Sequence, residues 1–178
     1  MRLLSLRSDY RGVHVQATAY AKLQLEQAFG LLNAVVKGLD DVQYNWKPDG
    51  TCNAIARTHV HALTSLDFFL NGVLQGKPTI WQPFAAEQAL PANPLEIWTY
   101  GGEVAVAAIG GYGVEVQKSA LDYVASLSDV DLEREVDTRL FGTRPVAFVI
   151  QLAGMHTAGH TGEMAAVKGM QGLKGLPF

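Results

Sequence analysis

The chain has 178 residues, enough for one compact domain, and 48% are hydrophobic against 17% charged, which supplies a sizeable core and argues against disorder. Fourteen Lys and Arg against 17 Asp and Glu give a formal charge of −3, and no basic stripe is present, so the electrostatic footprint of a nucleic-acid binder is missing. The single cysteine, Cys52, excludes an intramolecular disulfide and a cysteine-based zinc site.

Cys52 lies beside Asp49, Gly50, Thr51 and Asn53 in a turn-like stretch and reads as a bystander thiol. Residues 1–9 hold no apolar core long enough for a signal peptide, and no stretch approaches the roughly 18 apolar residues of a membrane span. A soluble cytoplasmic protein is therefore expected.

Residues 11–37 contain no proline, and Ala21, Leu25, Phe29, Leu32, Val36 and Leu39 recur at helical spacing. That pattern predicts a long amphipathic helix ended by Gly38. His14, near its start, reads as a surface group. After the turn Trp46-Lys47-Pro48-Asp49-Gly50 comes a second helix over residues 53–74, with Asn53 or Thr51 placed to cap it and Gly76 and Pro78 to close it.

Residues 76–111 are punctuated by Pro78, Pro83, Pro91 and Pro94, then by Gly101, Gly102, Gly110 and Gly111. They predict a long connection with one short helix around 96–108, a length that suits covering a site or an interface. Trp46, Trp81 and Trp98 flank helix ends or sit in this connection, and core packing or lid contacts account for them. A third helix is predicted over 114–127, with Val114, Gln117, Leu121 and Val124 on one face. Residues 131–141 are acidic, then extended or turning, up to Gly142.

The fourth helix is predicted over 145–169, with Pro145 in its first turn and Phe148, Leu152, Met155 and Gly159 along one side. Glycines 169, 172 and 175 mark a packed tail. Four long helical segments with almost no strand-period alternation define an all-α class, a bundle formed by residues 1–178 as one domain.

The last helix carries His156-Thr157-Ala158-Gly159-His160-Thr161-Gly162-Glu163. An i,i+4 spacing stacks His156 and His160 on one face, one turn apart, where two neutral imidazoles can converge on one divalent ion. The small residues Ala158, Gly159 and Gly162 leave room for another helix or a ligand. A third donor must come from elsewhere, and the second helix offers His59 and His61. These point about 200° apart, so only one faces the pair. His59 lies in the apolar stripe Ile55, Leu63, Leu66, Leu70, whereas His61 shares its face with Arg57, Thr64, Ser65 and Phe68, which suits the lip of a wet cleft. Periodicity leaves both open.

The chain resembles the DinB/YfiT-like metalloprotein superfamily, which includes thiol-dependent S-transferases and maleylpyruvate isomerases. The matching segments are Asn53-Ala54-Ile55-Ala56 followed by His61 and Asp67, and the His156 to Glu163 run leading into Leu173-Lys174-Gly175. The resemblance implies a four-helix bundle with a long connection between helices 2 and 3. It implies His61, His156 and His160 as metal ligands; an additional His59 departs from the family pattern. It also implies a homodimer.

Three imidazoles leave a divalent ion with open coordination positions, the catalytic kind of site. Imidazole suits Zn, Ni, Fe or Cu, with Zn or Ni expected. Asp67 and Glu163 are spaced to orient ligand rings, although surface carboxylates are the plainer reading. The absence of a Glu-x-x-His pair disfavours a di-iron bundle. The expected function is a metal-dependent thiol S-transferase or hydrolase that activates a low-molecular-weight thiol or water against a small-molecule substrate. A non-catalytic metal-binding bundle, dimeric and stress-related, is the competing class. DNA binding, suggested by the family name, is opposed by the charge.

Overall fold

A computed structural model describes residues 15–177. Helix α1 spans Ala17–Val36 and buries Leu25, Ala28, Phe29, Leu32 and Val35, the stripe that its spacing predicts. Residues 15 and 16 precede it, while residues 11–14, including His14, lie outside the described residues. Its ends are closed by charged side chains from far along the chain. Asp129 accepts from the amides of Ala17 and Thr18 at 3.2 and 3.0 Å. At the other end the Lys168 ammonium donates to the carbonyls of Val35 and Lys37 at 2.8 and 3.3 Å. A carboxylate at the first amides and a cation at the last carbonyls satisfy orphan backbone groups and oppose the helix dipole. Gly38 then leaves the helix at φ +79°, a conformation that favours glycine.

The short helix α2, Asp41–Asn45, was not expected. Its signal is a capping box: Asp40 accepts from the Gln43 amide at 2.8 Å, and the Gln43 side chain accepts from the Asp40 amide at 3.2 Å. It buries Tyr44 completely.

Helix α3, Ile55–Leu66, continues without a break into a π-helical segment, Asp67–Val73. Ala54 takes the capping position with no side-chain bond. Asn53 and Thr51 therefore stand outside the helix and do not cap it. Of its twelve residues, only Arg57, His61 and Ser65 escape full burial. At steps of four they form one narrow stripe.

The connection that follows contains helix α4, Trp81–Glu87, and a 3₁₀ turn, Pro94–Trp98, instead of one helix around 96–108. Helix α5, Val106–Ser126, starts earlier than expected and runs through Gly110 and Gly111. Burial of Ile109, Tyr112, Val116, Ala120 and Val124 outweighs the propensity cost of about 1 kcal/mol per glycine. That face also excludes Val114, which is 65% exposed. Gly113 has a packing role: a Cβ there would come within 3.1 Å of a Leu63 methyl, so its absence lets α5 approach α3.

After a 3₁₀ turn, Asp129–Glu133, two short strands pair antiparallel: β1, Glu135–Asp137, and β2, Thr143–Pro145. Among the described residues, this hairpin is the one departure from an all-α description. Helix α6, Val146–Met170, begins just after Pro145, which ends β2 in an extended conformation instead of lying in the first turn, and it packs against both α1 and α3. Its buried face is Val149, Ile150, Ala153, Thr157, Thr161 and Met164, while Met155, expected beside Leu152, is 61% exposed. The tail folds back, with Leu173 and Leu176 partly buried on the core. Among the described residues, no helix is long and apolar enough to cross a membrane.

Asp67 ties three of these elements together. It has no exposed surface. Its Oδ1 accepts from Asn71 Nδ2 at 2.7 Å, and its Oδ2 from the Trp81 amide at 2.9 Å and the Tyr112 hydroxyl at 3.0 Å. Burial pushes the carboxyl pKa up, opposed by these donors. Removing the carboxylate leaves several buried donors unpaired. Asp67→Ala is therefore expected to destabilise the fold by about 3–5 kcal/mol. A thermal midpoint within a degree or two of wild type would refute the clasp.

Candidate metal centre

His61 comes from the half-buried stripe of α3, and His156 and His160 from successive turns of α6. The rotation of α6 is set by the threonines next to them. Thr157 and Thr161 are buried against the bundle, and each hydroxyl donates to the carbonyl four residues back at 2.8 Å. With those positions facing inward, the histidines one step before each lie at the edge of the buried face.

The three rings meet there. Centroids lie 5.0 Å apart for His61 and His156, 4.9 Å for His61 and His160, and 4.3 Å for His156 and His160. One donor nitrogen from each falls within 4.8 Å of the others. The Nε2 atoms of His156 and His160 are 3.1 Å apart. Two nitrogens bound to one zinc at about 2.0–2.1 Å with tetrahedral angles sit roughly 3.3 Å apart, so this pair fits one ion with little movement.

Protonation favours the same role. Burial, followed by repulsion from the neighbouring imidazoles, lowers the pKa of both His61 and His156 to about 4. Near pH 7 both rings are neutral and keep a lone pair for coordination. Glu163 Oε2 lies 2.7 Å from His160 Nδ1, which fixes that ring and leaves its Nε2 turned toward His156. Trp98 packs against His61 with ring centroids 4.7 Å apart.

The structure brings together His61, His156 and His160, the set that the resemblance implies, and places the other candidate groups elsewhere. His59 is not in the cluster. It is 2% exposed, its Nδ1 lies 2.8 Å from the Tyr44 hydroxyl, and burial lowers its pKa to about 4. Asp67 is neither a surface group nor bonded to a histidine; it is the clasp described above. Glu163, although 63% exposed at its side chain, does hold a ring. Gly159 and Gly162 face open space, so no close approach explains them. Trp81 is core, with its indole N–H donating to the Pro91 carbonyl at 3.1 Å. Trp98 was not singled out, and its placement follows from the 3₁₀ turn, which the sequence did not announce. Cys52 is exposed and unbonded.

A bundle of four long helices with a three-histidine cluster between two of them defines the class of protein. The chain belongs to the DinB superfamily, whose sequence profile matches residues 24–164. No curated protein matches it. Among solved structures it is similar to a conserved protein from Enterococcus faecalis (14% identity, TM-score 0.74, covering 87% of this chain and 96% of that one). It is also similar to a DinB-like protein from Bacillus subtilis (18%, 0.62, 89% and 96%) and to a sibling lethal factor precursor, DfsB (16%, 0.63, 90% and 99%). At these identities the likeness is one of fold.

The Tyr44–His59 pair predicts a separable effect. Tyr44→Phe removes one partner from a dry hydrogen bond and should cost about 1–3 kcal/mol in chemical denaturation. The His160–Glu163 contact should stay intact, read from the imidazole resonances of the folded variant.

Proposed function

We propose that His61, His156 and His160 hold one divalent transition metal, zinc or nickel, and that the protein is a metal-dependent thiol S-transferase or hydrolase acting on a small electrophile. The observation that carries this reading is the convergence of three imidazoles, two of them neutral and the third oriented by a carboxylate.

When bound, such an ion lowers the pKa of a thiol or water at its remaining positions. The protein's own groups do the rest. Glu163 holds His160 in one tautomer and orientation. Partial burial keeps His61 and His156 unprotonated, so a cation meets lone pairs rather than competing protons. Trp98 covers one flank of His61 and limits water there. Three protein ligands leave room for a reacting group, as a closed four-ligand structural site would not.

Protein purified without a polyhistidine tag is expected to carry about one equivalent of metal by elemental mass spectrometry, and His160→Ala to carry none. No stoichiometric metal, even after loading with zinc or nickel, would reduce the cluster to a packing feature. Metal without thiol- or water-dependent turnover across a broad electrophile panel would select the non-catalytic bundle instead.

Glu163→Gln keeps the size of the side chain but removes its charge. It should weaken metal affinity about 10- to 100-fold in a chelator competition while leaving the fold intact.

A further inference from the structure

Beside the histidines lies a cavity of about 390 Å³ with largely apolar walls. His61 and His156 form part of its wall. The rest is largely apolar: Phe68 and Phe69 from the π-helical segment, Leu152 from α6, Leu95 from the 3₁₀ turn, and Leu140 and Phe141 from the hairpin. No Asp, Glu, Lys or Arg lines it. The aromatic walls brace one another, with centroids 5.1 Å apart for Phe68 and Phe69 and 6.3 Å for Phe69 and Phe141. By contrast, the cavity across Trp98 is lined by Lys47 and Arg57 together with Asn45 and Asn53.

We infer that this cavity seats an uncharged apolar substituent, aryl or branched alkyl, of the small molecule that reacts at the three-histidine centre. The inference rests on the metal-site reading for the word "reacts", and on the cavity alone for the class of substituent. The size is that of a small-molecule site. A charged substituent entering these walls would lose hydration, with only Thr64, Ser65 and Asn93 as added polar side chains in the lining and the nearest guanidinium, Arg139, stacked 5.8 Å from the Phe68 ring instead of lining the cavity. An aryl or branched alkyl group instead removes apolar surface from water on both sides. Because the two histidines share the cavity wall, a group seated there holds the atom next to it against the cluster, which supplies orientation as well as affinity.

The first arm of the test needs no metal. Toluene is titrated into the full chain while the methyl resonances of Leu95, Leu140 and Leu152 are followed by NMR, with benzoate as the charged control. Saturable shifts at these methyls with toluene and none with benzoate are expected. Absence of toluene shifts overturns the inference. So do equal shifts with benzoate, or shifts that depend on protein concentration alone, which would mark a second copy of the chain as the occupant.

Leu95→Asp adds a charge at a side chain that is 65% exposed, so folding tolerates it, and it should weaken toluene about tenfold or more. The second arm uses zinc-loaded protein whose metal content has been measured. Benzohydroxamate should bind about 10- to 100-fold tighter than acetohydroxamate, which has the same metal-binding head and no ring. Equal affinities would sink the inference while leaving the metal reading intact. Missing metal would sink that reading and leave the toluene result to decide the cavity.

Discussion

A carboxylate with no water around it governs how this bundle closes. Asp67 sits where α3 turns π-helical, and the three groups it accepts from belong to that segment, to α4 and to α5. A buried charge of this kind is tolerated only when donors surround it, and removing one side of such a set costs more than the set contributes. The arrangement therefore specifies register more than it adds stability. It fixes α3 against α5 and anchors the start of the connection over residues 76–105. That connection ends its 3₁₀ turn with Trp98 on His61. The position of the indole against His61 is thus linked to a carboxylate six residues further along the helix that carries that histidine.

The histidine cluster sets burial against charge. Half-burying His61 and His156 makes protonation costly, and each neighbouring ring adds to the cost. A group of imidazoles arranged for hydrogen bonding to solvent would gain nothing from this crowding. A group arranged to receive a cation gains lone pairs that protons do not occupy. Glu163 adds a negative charge close to the cluster yet outside it, 2.7 Å from His160 Nδ1, where it lowers the cost of bringing in positive charge.

The readable features in the sequence were local ones. His156 and His160 are joined by one turn of helix, so their meeting follows from spacing alone. The four long helices follow from apolar repeats, and Gly38 and Gly76 end theirs at positive φ. His61 against His59 was harder, because α3 is buried on nearly all sides and its polar stripe is only one residue wide. The resemblance selected His61, and the reason is now physical: His59 has Tyr44 as its partner in the core. What was illegible depends on contacts distant in sequence. Nothing near Asp67 announces that Trp81 and Tyr112 will converge on it. Gly110 and Gly111 look like a break, and only the burial of Ile109 and Tyr112 makes them helical. The box at Asp40 and Gln43 is a local signal, but a helix of five residues is too short to add an apolar repeat to it.

The elements around the centre divide by how freely they can change. The histidines stand on α3 and α6, whose neighbouring residues are locked in the core, so a shift in either helix disturbs the whole bundle. The outer walls of the adjoining cavity come from the hairpin tip and a 3₁₀ turn, surface segments whose exposed side chains can vary more freely than those of the helices. Leu95, Leu140 and Phe141 are each substantially exposed. Descendants of such a chain can acquire new preferences by altering two surface loops while inheriting the reactive centre untouched.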